Sequence, residues 1–385
     1  MPWIEEVRTL AELEKLQAEW EELQATAGAP SIFLTHQWFL VCAQNLPADQ
    51  RMLILLVREG KRLVGIAPLI EERRRIRGLP VTQIGCLQSR LSPFTDFLLI
   101  DPQEGLSAVL GHLWNTRRNW DVLRLSGLRE DSPLLELLCS MLRAQRRAFR
   151  KCVISQSPFL LIQQSWEEFY QSKSQKFKKT RRSVSNRISR LGEITVEQVN
   201  RPEDAARGLE QMLAVSAGSW KQRQHIDLLT PQFEHDFFSD LTRVASEAGW
   251  LRLWLLKKGE EVLAAEFHLD DHGTIYALRA QYDDAHASYS PGTYLDFQIV
   301  QHLFGNGYSC YDMGPGAADY KLAWTSATRA CYAVEVYNCG FYPKLLNQLQ
   351  NSWIPRLKAT SLGRWILRDQ EPRRFPTDTF AVTWF

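Results

Sequence analysis

At 385 residues the chain is too long for one ordinary core, so two domains are expected. Apolar residues at 45% and aromatics at 11% exclude a disordered chain, and a net charge of +2 excludes binding of polyanions, DNA included, by bulk charge. Seven scattered Cys without a C-x-x-C pair exclude a zinc ribbon or disulfide framework; with no signal-peptide pattern and no apolar run of about 18 residues, a cytoplasmic protein is expected.

In chain order, Leu10, Leu13, Leu16, Trp20 and Leu23 repeat at helical spacing over 9–26, with Thr9 and Glu12 as a capping box. A second helix is expected from Gln37 to Asn45. Met52 to Val57, the turn Arg58-Glu59-Gly60-Lys61 and Arg62 to Leu69 predict a hairpin. The run Arg73-Arg74-Arg75-Ile76-Arg77 reads as a basic hairpin tip that serves solubility. The same hairpin phrase returns as Leu251 to Leu256, Lys257-Lys258-Gly259-Glu260 and Glu261 to Leu269. Gly105 and Gly292 each open an amphipathic stretch, and after a strand each is followed by a second glycine, Gly127 and Gly314, at the same separation. Hairpin, further strands, helix and strand, twice over, predict a duplicated α/β domain.

Between the copies, Lys173, Lys176, Lys178, Lys179, Arg181, Arg182, Arg187 and Arg190 occur with no acid among them. Phe177, Val184, Ile188 and Leu191 supply an apolar stripe. A helix over about Trp166 to Leu191 is expected, with its cations either solvated or turned to a polyanion.

In the second copy, strand-like Thr274 to Ala280 leads through Tyr282 and Tyr289 to Ser290-Pro291-Gly292-Thr293-Tyr294. The pattern predicts Ser290 as N-cap, Pro291 at the first helical position and Gly292 bare behind it. Free amides at such a start suit a phosphate or pyrophosphate. Downstream, Tyr311-Asp312-Met313-Gly314-Pro315-Gly316 runs from a strand end into a loop, followed by Asp319-Tyr320-Lys321. Asp312 is a candidate base, Tyr320 a proton donor and Lys321 a group for a phosphate or carbonyl; a capping Asp and a solvated Lys are the bland alternatives. Glu266 and His268 share one face of an apolar strand, as a buried partnered pair or as a base lining a cleft. Arg279 and Tyr282 border the turn, and Trp220, Lys221 and Arg223 are weaker candidates for an acceptor groove.

On these residues the chain resembles GNAT-type acetyltransferases, specifically the CelD-like branch grouped with cellulose biosynthesis and related to FemAB peptidyltransferases. The likeness rests on Lys176 to Leu191, Ala264-Ala265-Glu266-Phe267, Tyr282 to Gly292, and Tyr311-Asp312 with Tyr320-Lys321. It implies two tandem GNAT-like domains, each a mixed, largely antiparallel sheet flanked by helices. The expected division is 1–162 as scaffold or acceptor side, 163–343 as donor domain, and 344–385 as a helical, Trp-rich extension that packs on the body or touches a membrane surface. In the family the turn before the equivalent helix binds acyl-CoA pyrophosphate, a role that would fall to Tyr289 through Tyr294. The usual Gln/Arg-x-x-Gly-x-Gly/Ala signature is absent here, and only Gly292 keeps its sense. FemAB relatives use aminoacyl-tRNA, and a Phe-Lys pair stands where Tyr320-Lys321 stands here.

The expected activity is therefore transfer of an acyl group, most simply acetyl from acetyl-CoA, to an amine or hydroxyl of a small or carbohydrate-linked acceptor. Asp312 or Glu266 would deprotonate the nucleophile and Tyr320 or Tyr282 protonate the thiolate. Lys321 would assist, Arg279, His268 and Trp220 would contact substrate, and no metal is needed. The alternatives are aminoacyl transfer from tRNA to a cell-wall precursor, or a non-catalytic partner of an envelope-polysaccharide machine at the inner membrane.

Overall fold

The computed structural model describes residues 2–76, 78–116, 119–217 and 231–349. Trp220, Lys221, Arg223 and nearly all of the 344–385 extension lie outside them. Among the described residues two compact units result, one within 2–89, 94–156 and 330–349, the other within 90–93 and 157–329.

The chain begins with β1 (Trp3–Val7), α1 (Leu10–Glu14), α2 (Gln17–Thr26) and α3 (His36–Gln44). The Thr9–Glu12 capping box is present, but the expected helix over 9–26 is broken between α1 and α2. Then come β2 (Gln50–Glu59), β3 (Arg62–Ile76), β4 (Leu79–Cys86), β5 (Leu98–Leu99), α4 (Pro102–Gly111), β6 (Val122–Arg129), α5 (Pro133–Ala144) and β7 (Phe149–Leu161). The second unit continues with α6 (Trp166–Ser172), α7 (Gln175–Ile188), β8 (Thr195–Val199), α8 (Pro202–Ala217), α9 (Pro231–Glu247), β9 (Leu251–Lys258), β10 (Glu261–Asp271) and β11 (Thr274–Tyr282). It closes with α10 (Pro291–Gly305), β12 (Cys310–Asp312) and α11 (Asp319–Leu322), before β13 (Thr328–Tyr337) and α12 (Phe341–Gln348).

In the first unit β1, β2, β3 and β4 pair antiparallel, β6 joins β4 in parallel, and β13 adds to β6 antiparallel. In the second, β8, β9, β10 and β11 pair antiparallel, β12 joins β11 in parallel, and the end of β7 adds to β12 antiparallel. The two sheets repeat one topology, including a helix (α4 or α10) between the parallel strands, because parallel neighbours need a crossover connection. In each the sixth strand is out of chain order. Hence β13 completes the first sheet, whereas the sequence had placed it in the second domain.

Leu53, Leu55, Ala67, Ile84, Leu123 and Leu138 anchor the first core. Leu256, Leu263, Leu295, Ile299, Tyr311 and Trp324 anchor the second. Among the described residues no helix is long and apolar enough to cross a membrane.

Two local features open the second sheet. The β10–β11 register shifts between Phe267 and His268, a bulge that bends β11 beside Glu266. The β11–β12 pairing then ends at Tyr276 and Asp312, while β11 runs on to Tyr282. Gly314 turns the chain away with φ +72°, and a Cβ there would stand 2.8 Å from the Ala277 carbonyl oxygen. Only glycine admits that approach.

Candidate functional site

The turn into α10 adopts the expected register, with Pro291 at the first helical position. Ser290 holds φ 58°, ψ 53°, and its side chain caps nothing. Its hydroxyl instead accepts from Arg187 Nη2 at 3.1 Å. The first helical hydrogen bond is donated by Tyr294 to the Ser290 carbonyl, so the Gly292 and Thr293 amides have no acceptor among the described residues. Tyr282 packs along Gly292, 3.5 Å from where a Cβ would be. Tyr289 and Tyr294 lie half-buried against the second core.

The basic segment forms two helices, because Ser174 caps a new start through the Phe177 amide. Arg181 falls on the apolar stripe of α7 with Phe177, Val184 and Ile188, and is only 5% exposed. Its guanidinium carbon lies 4.6 Å from the Trp324 ring centroid and 4.9 Å from that of Phe177, and Nη1 donates to the Thr293 carbonyl at 3.2 Å. Arg181 and Arg187 both bury an Nε that meets no acceptor, and neither pairs with a carboxylate among the described residues. Two guanidinium groups thus flank the positive end of a 15-residue helix without an ion-pair partner among the described residues, although the Asp296 carboxyl is near enough to favour the Arg181 charge. Lys173, from the same segment, is half-buried, donates to the Trp324 carbonyl and lies 4.3 Å from the Phe169 ring centroid.

Deeper in the second unit lies a cluster of acids. Glu266 is buried, and its Oε2 lies 2.9 Å from His268 Nε2. Burial pushes Glu266 up to about 8, opposed by the nearby Lys321 charge, and pushes His268 down to about 3. At neutral pH the two therefore form a neutral hydrogen bond, not an ion pair. Asp296, one helical turn past Gly292, is buried as well and accepts from Trp324 Nε1 at 2.6 Å. Burial raises it to about 7, opposed by the nearby Arg181 charge and the Trp324 hydrogen bond. The Tyr320 residue is 44% exposed as a whole, yet burial followed by the carboxylates of Glu266 and Asp296 holds its hydroxyl well above the usual phenol range. Tyr311, fully buried, is shifted the same way by burial and then by the same two carboxylates.

Several candidates prove committed to structure. Asp312 accepts from the Gly314 amide at 2.9 Å and faces Arg329 Nη1 at 3.4 Å. Lys321 is buried and donates to the Gly314 and Pro315 carbonyls at 3.0 and 3.1 Å. Together they hold the Gly-Pro-Gly loop. Arg279 Nε donates to buried Glu234 at 2.9 Å, an acceptor shared with the Gln281 amide. His268 is 0% exposed, so it reaches nothing outside except through Glu266. Before the turn, His286 Nδ1 lies 2.9 Å from Asp283 and Nε2 3.8 Å from Glu261, a network that holds the segment leading to Ser290. Asp296, Trp324 and the inward role of Arg181 were not foreseen.

Residues 175–322 match the family described as acetyltransferase (GNAT) domain. No curated protein matches the chain in sequence. Among solved structures, FemX has 13% identity and a TM-score of 0.54, the likeness covering 86% of this chain and 97% of that one. A C-terminal domain from Agrobacterium fabrum, assigned to a lysylphosphatidylglycerol synthetase, has 14% identity and a TM-score of 0.54 over 90% of this chain and 97% of its own. A protein of unknown function from Bacteroides thetaiotaomicron has 12% identity and a TM-score of 0.51 over 88% and 100%. At these identities the likeness is one of fold. The chain is thus built of two units that repeat one sheet topology, and residues 175–322 of the second match the GNAT acetyltransferase domain.

Proposed function

We propose that the second unit moves an acyl group from acyl-CoA, most simply acetyl, to an amine or hydroxyl of a small or carbohydrate-linked acceptor. The observation that carries this reading is the start of α10, where two uncommitted amides meet two guanidinium groups that each bury an unpaired Nε. A pyrophosphate seated there would satisfy amides and arginines together. The edge of β11 beyond Tyr276, which no strand covers among the described residues, suits an extended thioester arm alongside it.

In this scheme the acceptor attacks the thioester carbonyl directly. The new C–N or C–O bond forms as the C–S bond breaks. Glu266, oriented by His268, takes the proton of the nucleophile, and Tyr320 gives a proton to the departing thiolate. Because Glu266 titrates near 8, the rate is expected to rise as pH increases through about 8. Asp312 and Lys321 support the loop and do not exchange protons.

The test is calorimetry of the purified chain against CoA and acetyl-CoA, with Gly292→Val and Arg187→Gln. Gly292→Val sets branches over the open amides, and Arg187→Gln removes a charge-assisted contact. Wild type is expected to bind, and both variants to lose affinity; unchanged affinity in both would put the donor elsewhere.

A second reading, aminoacyl-tRNA as donor, is favoured by the exposed Lys176, Lys179, Arg182 and Arg190, which have no ion-pair partner among the described residues, and by the likeness to FemX. RNA retained through purification and released steeply with salt would support it.

A further inference from the structure

Glu261, Asp283 and His286 come from three pieces of the second unit: the first residue of β10, the residue after β11, and the short turn over 284–289 that leads to Ser290. One ligand atom from each, an imidazole nitrogen or a carboxylate oxygen, lies within 4.8 Å of the other two. The His286 ring sits between the acids, with Nδ1 2.9 Å from Asp283 Oδ2 and Nε2 3.8 Å from Glu261 Oε1. The first distance is a hydrogen bond and fixes the ring. The second is too long for one, yet it is close to the ~3.4 Å that separates two ligands each ~2.1 Å from a shared tetrahedral cation. The surroundings hold these groups in place. Asp283 Oδ1 accepts from the Ala285 amide at 3.0 Å, and the Asp283 amide donates to the Leu263 carbonyl at 2.9 Å. His286 is half-buried, its ring centroid 6.4 Å from that of Tyr289. Glu261 meets one ammonium, Lys258 Nζ at 4.0 Å, so two carboxylates face a single fixed positive charge.

We propose that His286 and Glu261, with Asp283 on the far side of the ring, bind a divalent transition cation, zinc best of all. When Nδ1–H donates to Asp283, the Nε2 lone pair is left facing Glu261, the arrangement in which a carboxylate orients an imidazole for a metal and makes it a stronger ligand. Water completes the shell. An imidazole nitrogen with a carboxylate suits zinc, whereas calcium and magnesium call for a shell of six or more oxygens. The cation is structural: it ties the start of β10 to the turn before Ser290. It takes no part in acyl transfer, and neither the site nor its test depends on CoA binding.

The test is calorimetric titration of the full chain with zinc, magnesium and calcium chlorides, paired with thermal unfolding in each salt. Wild type is expected to bind zinc saturably and to melt at a higher temperature with it, with little response to magnesium or calcium. His286→Gln and Glu261→Gln should each weaken zinc binding about tenfold or more, and Asp283→Asn should weaken it through the ring it orients. Zinc taken up elsewhere, at the exposed Cys339 for example, would persist in these variants and so is told apart. No saturable zinc binding, equal binding of magnesium or calcium, or unchanged zinc affinity in His286→Gln and Glu261→Gln would each overturn the proposal. His286 also braces the turn, so if its variant fails to fold, Glu261→Gln decides, because that side chain is 49% exposed.

Discussion

Replacing Glu266 with Gln should remove a specific pH dependence of stability. The Glu266 carboxyl titrates at about 8 in the fold against 4.5 in a free chain. Between those values the folded state keeps a proton that the unfolded state has released, so stability falls as pH rises through the window and levels off above it. The full loss is on the order of 3 to 5 kcal/mol, of which about 1 kcal/mol falls between pH ~7 and ~8.5. Asp296, at about 7 against 3.8, adds to the fall below neutrality. His268, at about 3 against 6.5, has the opposite sign, since the unfolded state holds the extra proton and stability rises up to about pH 6.5. Above neutrality Glu266 is therefore the main one of the three still titrating. Urea unfolding of wild type and Glu266→Gln at several pH values from ~7 to ~8.5 reads this directly. Gln retains a polar contact to His268, so the variant is expected to fold and to show a nearly flat profile where wild type declines. Parallel profiles would refute the argument that burial keeps this acid protonated.

Gly314→Ala should cost about 2 kcal/mol or more by thermal unfolding, because a Cβ at φ +72° meets the Ala277 carbonyl. Trp324→Phe removes the indole donor to buried Asp296 and should cost about 1–3 kcal/mol in the same assay; no change would mean that the hydrogen bond is dispensable. Arg187→Gln should weaken CoA binding about tenfold or more, the loss of one charge-assisted contact, with the unfolding midpoint little altered.

Local patterns announced much of this fold. The hairpin at Gly60 and its echo at Gly259 were legible because alternation and turn glycines act within a few residues. Ser290-Pro291-Gly292 was legible for the same reason, although Ser290 serves Arg187 rather than a cap. The return of β13 to the first sheet was not, because pairing with β6 joins residues distant in sequence and leaves no local mark. Arg181 passed as one more cation of a basic run, solvated or turned to a polyanion. The available signal was its place on the stripe of Phe177, Val184 and Ile188, where an arginine must find stacking partners. Asp296 carried a similar signal, an acid on the buried side of an apolar helix and one turn from Gly292. Its partner Trp324 is set by tertiary packing alone.

The central claim is that the start of α10 holds the phosphates of an acyl donor between the Gly292 and Thr293 amides and the Arg181 and Arg187 guanidinium groups. Titration of the full chain with CoA in a calorimeter measures this most directly. The account predicts saturable binding of CoA and acetyl-CoA that weakens in Gly292→Val; no heat with CoA, acetyl-CoA or longer acyl-CoAs would contradict it.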